Sequence, residues 1–397
     1  MKVASVLLSH PFGNPNCHNA VLALQGCQCL DAFWTSVFAP LGIPKRFHPQ
    51  IRRDLVRTRP LPEAIRLLAT LLPVDSWNGR NARWADWLWR NFDESVAENL
   101  SSRTTAVYAY EDGAFATFVR ARSKGIRSIY ELPATYFEEV QLIQNEEVRR
   151  DPSFSAWMRA LKEPEWKLQR KYSEIGLADV IVVPSNAVKK SILSHRQITT
   201  PIVVVPYGAD LSVESELAAK PSKKVRLFFA GRLEPSKGIH YLFEALSKFD
   251  SGAFDLTLAG VWTQGFREFV MSRWRVHFSE LGFLSRPALL NAYHQYDVFV
   301  FPSLHEGLAL ALLEAMGAGL PIAASDRSGA ADLITDGQEG FTFKAASAES
   351  IVNTLNRVLS CRDQLVEMGR LARRRARAAS WPNYRNTLVE RLGSYLD

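Results

Sequence analysis

Apolar positions along the chain fall into short runs separated by periodic segments and turn-rich joints. In the first half, apolar runs predict strands over 3–8, 33–38, 105–110, 127–130, 179–183 and 202–205. Between them, 3.6-residue spacing predicts helices over 20–25, 62–72, 82–100, 113–123 and 187–193. A long charged helical region fills 135–175. The stretch 41–81 is rich in Pro and Arg and predicts nothing regular beyond helix 62–72. In helix 82–100, Trp84, Trp87, Leu88, Phe92, Val96 and Leu100 form one stripe, expected to face a core. Ser185 or Asn186 is placed to cap the helix that follows.

The polar stretch 212–224 interrupts this rhythm, which then restarts. Strands are expected over 225–230, 255–260, 276–281, 298–301 and 340–343, and helices over 239–249, 266–275, 287–293, 348–379 and 382–395. The stretch 301–326, FPSLHEGLALALLEAMGAGLPIAASD, reads as strand, turn, helix, turn, strand. Two successive strand–helix alternations imply two doubly wound α/β domains, 1–211 and 225–380, joined by a linker at 212–224. Ligands in such sheets sit beyond the C-terminal ends of the strands, where the glycine-bearing loops of this chain fall.

Composition narrows the class. Hydrophobic residues make up 47% and charged residues 22%, ordinary for a soluble globular protein. No apolar run reaches the ~20 residues of a spanning helix, and the N-terminus lacks signal-peptide features. A cytoplasmic location is the default expectation. Cys17, Cys27, Cys29 and Cys361 form no C-x-x-C pair, which fits reduced thiols and no structural zinc. The net charge is +7, concentrated in 45–66 (Lys45, Arg46, Arg52, Arg53, Arg57, Arg59, Arg66) and in 370–377. Such clusters are either solvated faces or patches drawn to anionic lipid or acidic ligands. No nucleic-acid motif accompanies them, so nucleic acid is not an expected partner.

Two loops carry candidate chemistry. The loop 231–238 follows a strand and opens a helix, with Gly231, Arg232, Lys237 and Gly238. Free backbone, a helix N-terminus and two cations suit a diphosphate; a surface turn with ordinary basic residues is the alternative. It is not a Walker loop, and the first loop, with Gly13, lacks the G-x-G-x-x-G of dinucleotide binding. Glu306 and Glu314 are too far apart for an acid/base pair. Each carboxylate can accept two vicinal hydroxyls, such as those of a sugar or a ribose. Otherwise Glu306 is a turn residue and Glu314 a solvated one, yet Glu314 stands among Ala311, Leu312, Leu313, Ala315 and Met316, where a charge needs a partner.

With these residues in view, 225–344 resembles the C-terminal domain of retaining glycosyltransferases of family 4, which have the GT-B fold: two Rossmann-like domains facing across a cleft. FFAGRLEPSKGIHYLFEAL, LTLAG and LGFLSRPALLNAYHQYDVFVFPSLHEGLALALLEAMGAGLPIAASD carry the resemblance, and HEGLALALLE is similar to that family's E-x7-E motif. They cover about a third of the chain. DVIVVPSNAVKKSI adds a common family segment ahead of the domain crossing.

The resemblance implies that Arg232 and Lys237 hold a donor diphosphate and that Gly231 and Gly13 approach it from the two domains. Glu306 would hold the donor sugar with the backbone N–H groups of Gly307, Leu308 and Ala309. Glu314 would hold the ribose, and Phe283 and Leu284 would border the base. Ala309 replaces a usual glycine. Where many members carry a histidine after a first-domain strand, this chain has Glu131, in IYELPATYF; His10 is the nearest histidine alternative. The final helix, 381–397, would cross back to the first domain.

The implied activity is hexosyl transfer from a nucleoside-diphosphate sugar, UDP favoured, with retention, in glycan, glycolipid or polysaccharide synthesis. No cofactor and no metal are expected. The acceptor would be a carbohydrate or a lipid-linked molecule, with peripheral membrane contact through 45–66. A nucleotide-sugar epimerase or hydrolase of the same fold and a non-catalytic nucleotide-sugar-binding protein are the alternatives.

Overall fold

The computed structural model describes residues 4–38, 47–71, 80–209 and 223–396. Lys45, Arg46, the Arg66 side chain and the 212–222 part of the linker lie outside the described residues. Two sheets organise the rest. The first comprises β1 (Val6–Ser9), β2 (Leu30–Thr35), β3 (Val56–Thr58), β4 (Ala106–Tyr110), β5 (Arg127–Glu131), β6 (Val180–Val183) and β7 (Ile202–Val204), in the order β3-β2-β1-β4-β5-β6-β7. The second comprises β8 (Val225–Ala230), β9 (Phe254–Ala259), β10 (Phe278–Gly282), β11 (Val298–Phe301), β12 (Ile322–Ser325) and β13 (Gly340–Phe343), in the order β10-β9-β8-β11-β12-β13. The pairings are parallel, for example Val6 with Ala106 and Phe299 with Phe228. Strands β4, β6 and β11 are buried along their whole length, because helices cover both faces.

Each sheet grows outward from its first strand and then reverses. The reversals fall between β1 and β4 and between β8 and β11. Loops leaving the two strands at a reversal diverge to opposite faces and open a crevice at the C-terminal ends. The loops after β8 and β11 are those that carry Lys237 and Glu306.

Several elements differ from expectation for identifiable reasons. The first helix is Pro15–Gly26, longer than predicted, because Asn14 caps the Cys17 N–H and Pro15 supplies a preset φ. The 135–175 region is broken. Helix Phe137–Arg150 ends ahead of Pro152, two 3-10 turns follow at Pro152–Ala156 and Ala160–Lys162, and Glu165–Leu177 restarts after Pro164. Strand β3 is a short, half-exposed edge with too few residues to show alternation. The tryptophan stripe is corrected in part. Leu88, Phe92, Val96 and Leu100 are buried, but Trp84 and Trp87 are 37% and 38% exposed and pack edge-on against each other.

The last helix, Trp381–Leu396, packs on the first helix. It buries Tyr384, Leu388 and Leu392, and the Arg385 guanidinium donates to Asn19 Oδ1 at 2.9 Å. Ala209 and Ser380 form a parallel bridge, so the chain passes between the sheets twice at neighbouring points.

Candidate active site

The loop after β8 runs through a 3-10 turn, Pro235–Lys237, into helix Ile239–Leu246. Gly238 joins them with φ +67°. A Cβ there would lie 2.0 Å from the Pro302 carbonyl oxygen, so only glycine lets the two loops touch. The Leu304 N–H donates to the Ser236 carbonyl at 2.9 Å. Ser303 is buried, and its hydroxyl lies 3.2 Å from that carbonyl and 2.9 Å from Glu306 Oε1.

This stitching sets the Lys237 ammonium directly on the Glu306 carboxylate. The two side chains are 19% and 18% exposed, so their charges interact in a partly desolvated setting. Lys237 Nζ also stands 5.8 Å from the Phe301 ring centroid. Arg232 is more open, at 63% side-chain exposure, and lies 3.3 Å from Glu234 Oε1. Burial pushes the His305 imidazole down to about 4, so it adds no cation here at neutral pH. Gly231 donates its N–H to the Ala259 carbonyl at 2.9 Å.

Glu314 sits on helix Leu310–Gly317 and is 8% exposed. Its partners are Arg286, at 2.9 Å, and the Tyr293 hydroxyl, at 3.4 Å. Sequence reasoning missed Arg286, because no local spacing links it to Glu314. Phe283 and Leu284 follow β10; Phe283 is 81% exposed. Leu308 and Ala309 are buried, and the Ala309 N–H already donates to the Ser328 carbonyl at 3.4 Å. That amide has a partner within the fold instead of pointing freely into the crevice.

The first domain presents its own loops. Gly13, at φ +61°, donates its N–H to His10 Nδ1 at 3.0 Å, and Phe12 does so at 3.1 Å. Nδ1 is therefore the acceptor, and Nε2 carries the ring hydrogen. Burial and nearby His18 push His10 down to about 3. His10 is thus a neutral anchor for the Gly13 loop.

Glu131 ends β5 and is 1% exposed. It accepts from Tyr108 at 2.5 Å, from Tyr207 at 2.8 Å and from Asn16 at 3.4 Å. Burial raises its pKa, and these donors oppose the rise. Both oxygens are held inside the first domain. The structure brings Lys237 and Glu306 into direct contact, and the hydrogen bonds of Glu131 go to Tyr108, Tyr207 and Asn16.

The backbone after β5 does reach the second domain. The Thr135 hydroxyl donates to the Glu306 carbonyl at 2.9 Å, and Ser185 donates to the Gly307 carbonyl at 2.5 Å. A Cβ on Gly307 would lie 1.9 Å from the Pro133 carbonyl oxygen. Gly307→Ala is expected to part the loops at a cost of about 1–3 kcal/mol. Small-angle scattering and thermal melting check this; an unchanged radius of gyration and an unchanged Tm together would rule it out.

Two Rossmann-like domains, with seven and six parallel strands among the described residues, meet across these loops and define the GT-B fold. Residues 214–375 match the family described as Glycosyl transferases group 1. The chain is similar to sulfoquinovosyl transferase SQD2 of Arabidopsis thaliana, 26% identical over 235 residues, covering 56% of this chain and 45% of that protein. It is also similar to the D-inositol 3-phosphate glycosyltransferase of Corynebacterium urealyticum, 27% identical over 256 residues, covering 58% and 60%. The chain spans about half the length of these curated relatives. Anabaena Alr3699/HepE, solved with UDP and glucose, has the same fold at TM-score 0.63 and 16% identity, covering 98% of this chain and 100% of that one.

Proposed function

We propose that the chain is a retaining glycosyltransferase that moves a sugar from a nucleoside-diphosphate sugar, with uridine favoured, to an acceptor hydroxyl. The observation that carries this reading is the Lys237–Glu306 pair, set on the two loops that flank the β8/β11 reversal. The names of SQD2 and of the D-inositol 3-phosphate glycosyltransferase, both sugar transferases, and the UDP and glucose bound by Alr3699/HepE support it.

Arg232, Lys237 and the start of helix Ile239–Leu246 stabilise the charge that grows on the departing diphosphate. Glu306 accepts hydroxyls of the donor sugar, and Glu314 accepts those of the ribose in exchange for Arg286 and Tyr293. The bond between the anomeric carbon and the diphosphate breaks as the acceptor oxygen arrives on the same face. The leaving phosphate oxygen takes the acceptor proton, so no protein nucleophile is required. Fixed cations supply the charge that a divalent metal supplies in other transferases.

The acceptor is a carbohydrate or a lipid-linked molecule. Exposed Arg52, Arg53 and Arg57, followed along the chain by Leu61 at 68% exposure, are the residues that meet an anionic membrane surface in this reading. No helix among the described residues is long and apolar enough to cross a membrane.

A panel of nucleoside diphosphates tests the donor site. The matching one at 100 times its Kd is expected to add about 2.7 kcal/mol of stability, read as a rise in Tm. No stabilisation by any of them would sink the reading. Donor consumption that needs no acceptor would favour a hydrolase or epimerase instead.

A further inference from the structure

One helix of the first domain bears on both halves of the candidate site. Helix Phe137–Arg150 has 14 residues. At ~1.5 Å per residue it is roughly 21 Å long. Just before its start, Thr135 holds the Glu306 carbonyl. In its first turn, Glu139 lies 3.8 Å from Arg327, whose carbonyl accepts the Glu306 N–H at 3.0 Å. This end therefore abuts the loop that carries Glu306.

The other end abuts the helix that follows Lys237. The Glu147 side chain is 2% exposed, and its two oxygens are divided between neighbours in the second domain. Tyr241 donates its hydroxyl to Oε1 at 2.6 Å, and His240 Nε2 lies 3.0 Å from Oε2. His240 and Tyr241 occupy the first turn of helix Ile239–Leu246, directly after Lys237 and Gly238. Arg150 donates to the Ala346 carbonyl at 2.9 Å. Beyond the helix, Phe154 and Trp157 pack on Phe269, with centroids at 5.0 and 5.2 Å, and the Trp157 indole N–H donates to the Gln264 carbonyl at 3.0 Å. Aromatic packing and a buried carboxylate hold this end in place.

We propose that helix Phe137–Arg150 is a strut that fixes the loop of Glu306 relative to the helix of Lys237, with Glu147 as its positioning residue. A buried carboxylate facing two donors resists displacement, because moving it leaves the His240 Nε2–H and the Tyr241 O–H without their acceptor, although the Tyr241 oxygen still accepts from Arg150. A helix transmits that restraint along its length, since it bends little without a proline or a bulge. The strut stands on contacts alone; its effect on transfer rests on the proposed function.

Hydrogen exchange on the full chain tests it without any ligand. Glu147→Ala is expected to speed exchange about tenfold at amides 239–241 and also at 304–307, which within helix Phe137–Arg150 only the end far from Glu147 approaches. Glu147→Gln keeps shape and the Tyr241 bond, so it shows the same two-site pattern at about threefold and stays readable if the alanine variant fails to fold. Acceleration confined to 239–241, or none, overturns the strut.

In transfer assays Glu147→Gln is expected to lower kcat about tenfold with donor KM within about twofold, as for geometry lost in the transition state. An unchanged kcat overturns the positioning role. Failure of UDP to protect 237–241 in the wild type would instead count against the uridine-donor reading, while the ligand-free exchange pattern still decides the strut.

Discussion

Replacing Lys237 with alanine is expected to lower sugar-transfer turnover about 10²–10³-fold, the size seen when one preorganised donor to developing charge is removed. The fold should stand. The side chain is partly exposed and touches Glu306 and the Phe301 ring, while the loops are joined by Gly238 against Pro302 and by the Leu304–Ser236 bond. Glu306 keeps the Ser303 hydroxyl and is not stranded. The measurement is kcat/KM with the best donor, beside a melting curve. Turnover near wild type in a folded variant would remove Lys237 from the proposed diphosphate site.

The largest stability effect is expected at Glu131. Glu131→Ala deprives the Tyr108 and Tyr207 hydroxyls and the Asn16 amide of their acceptor in a closed interior. The expected loss is about 3 kcal/mol, from groups that cost about 1–3 kcal/mol each when left unsatisfied. Against a total of about 5–15 kcal/mol this is a large fraction, readable as a shifted urea midpoint. Glu131→Gln keeps shape and an acceptor oxygen, and should cost under about 1.5 kcal/mol with turnover close to wild type. A folded glutamine variant that loses turnover a hundredfold would place Glu131 in the chemistry after all.

Much of the fold was legible because parallel strands buried on both faces read as near-continuous apolar runs, broken in β8 only by Arg226. β8 and β11 could be read from their residues alone for that reason. Of the two caps the sequence offered, Ser185 and Asn186, it is the Ser185 hydroxyl that accepts the Val188 N–H. The unit around Glu306 was legible from its punctuation by proline and glycine.

What stayed hidden were encounters between distant elements. Periodicity says which face of a helix is apolar, but not what stands opposite its polar face. Glu147 lies in a run of charges and reads as solvated, although the second domain buries it. Arg286 and Glu314 share no local pattern. Trp84 and Trp87 fit the core stripe by spacing, yet that end of their helix stays exposed.

The Ala209–Ser380 bridge has a consequence for how such a molecule can be taken apart. The polypeptide departs for the second sheet and comes back through one doorway, with Gly208 pressed against the backbone of Ser380 and Trp381. Topologically, everything between those residues is a single insert in an otherwise complete first unit. Two adjacent splices exchange the insert without rethreading the chain, so one first-domain half can be paired with different second-domain halves through the same two joints.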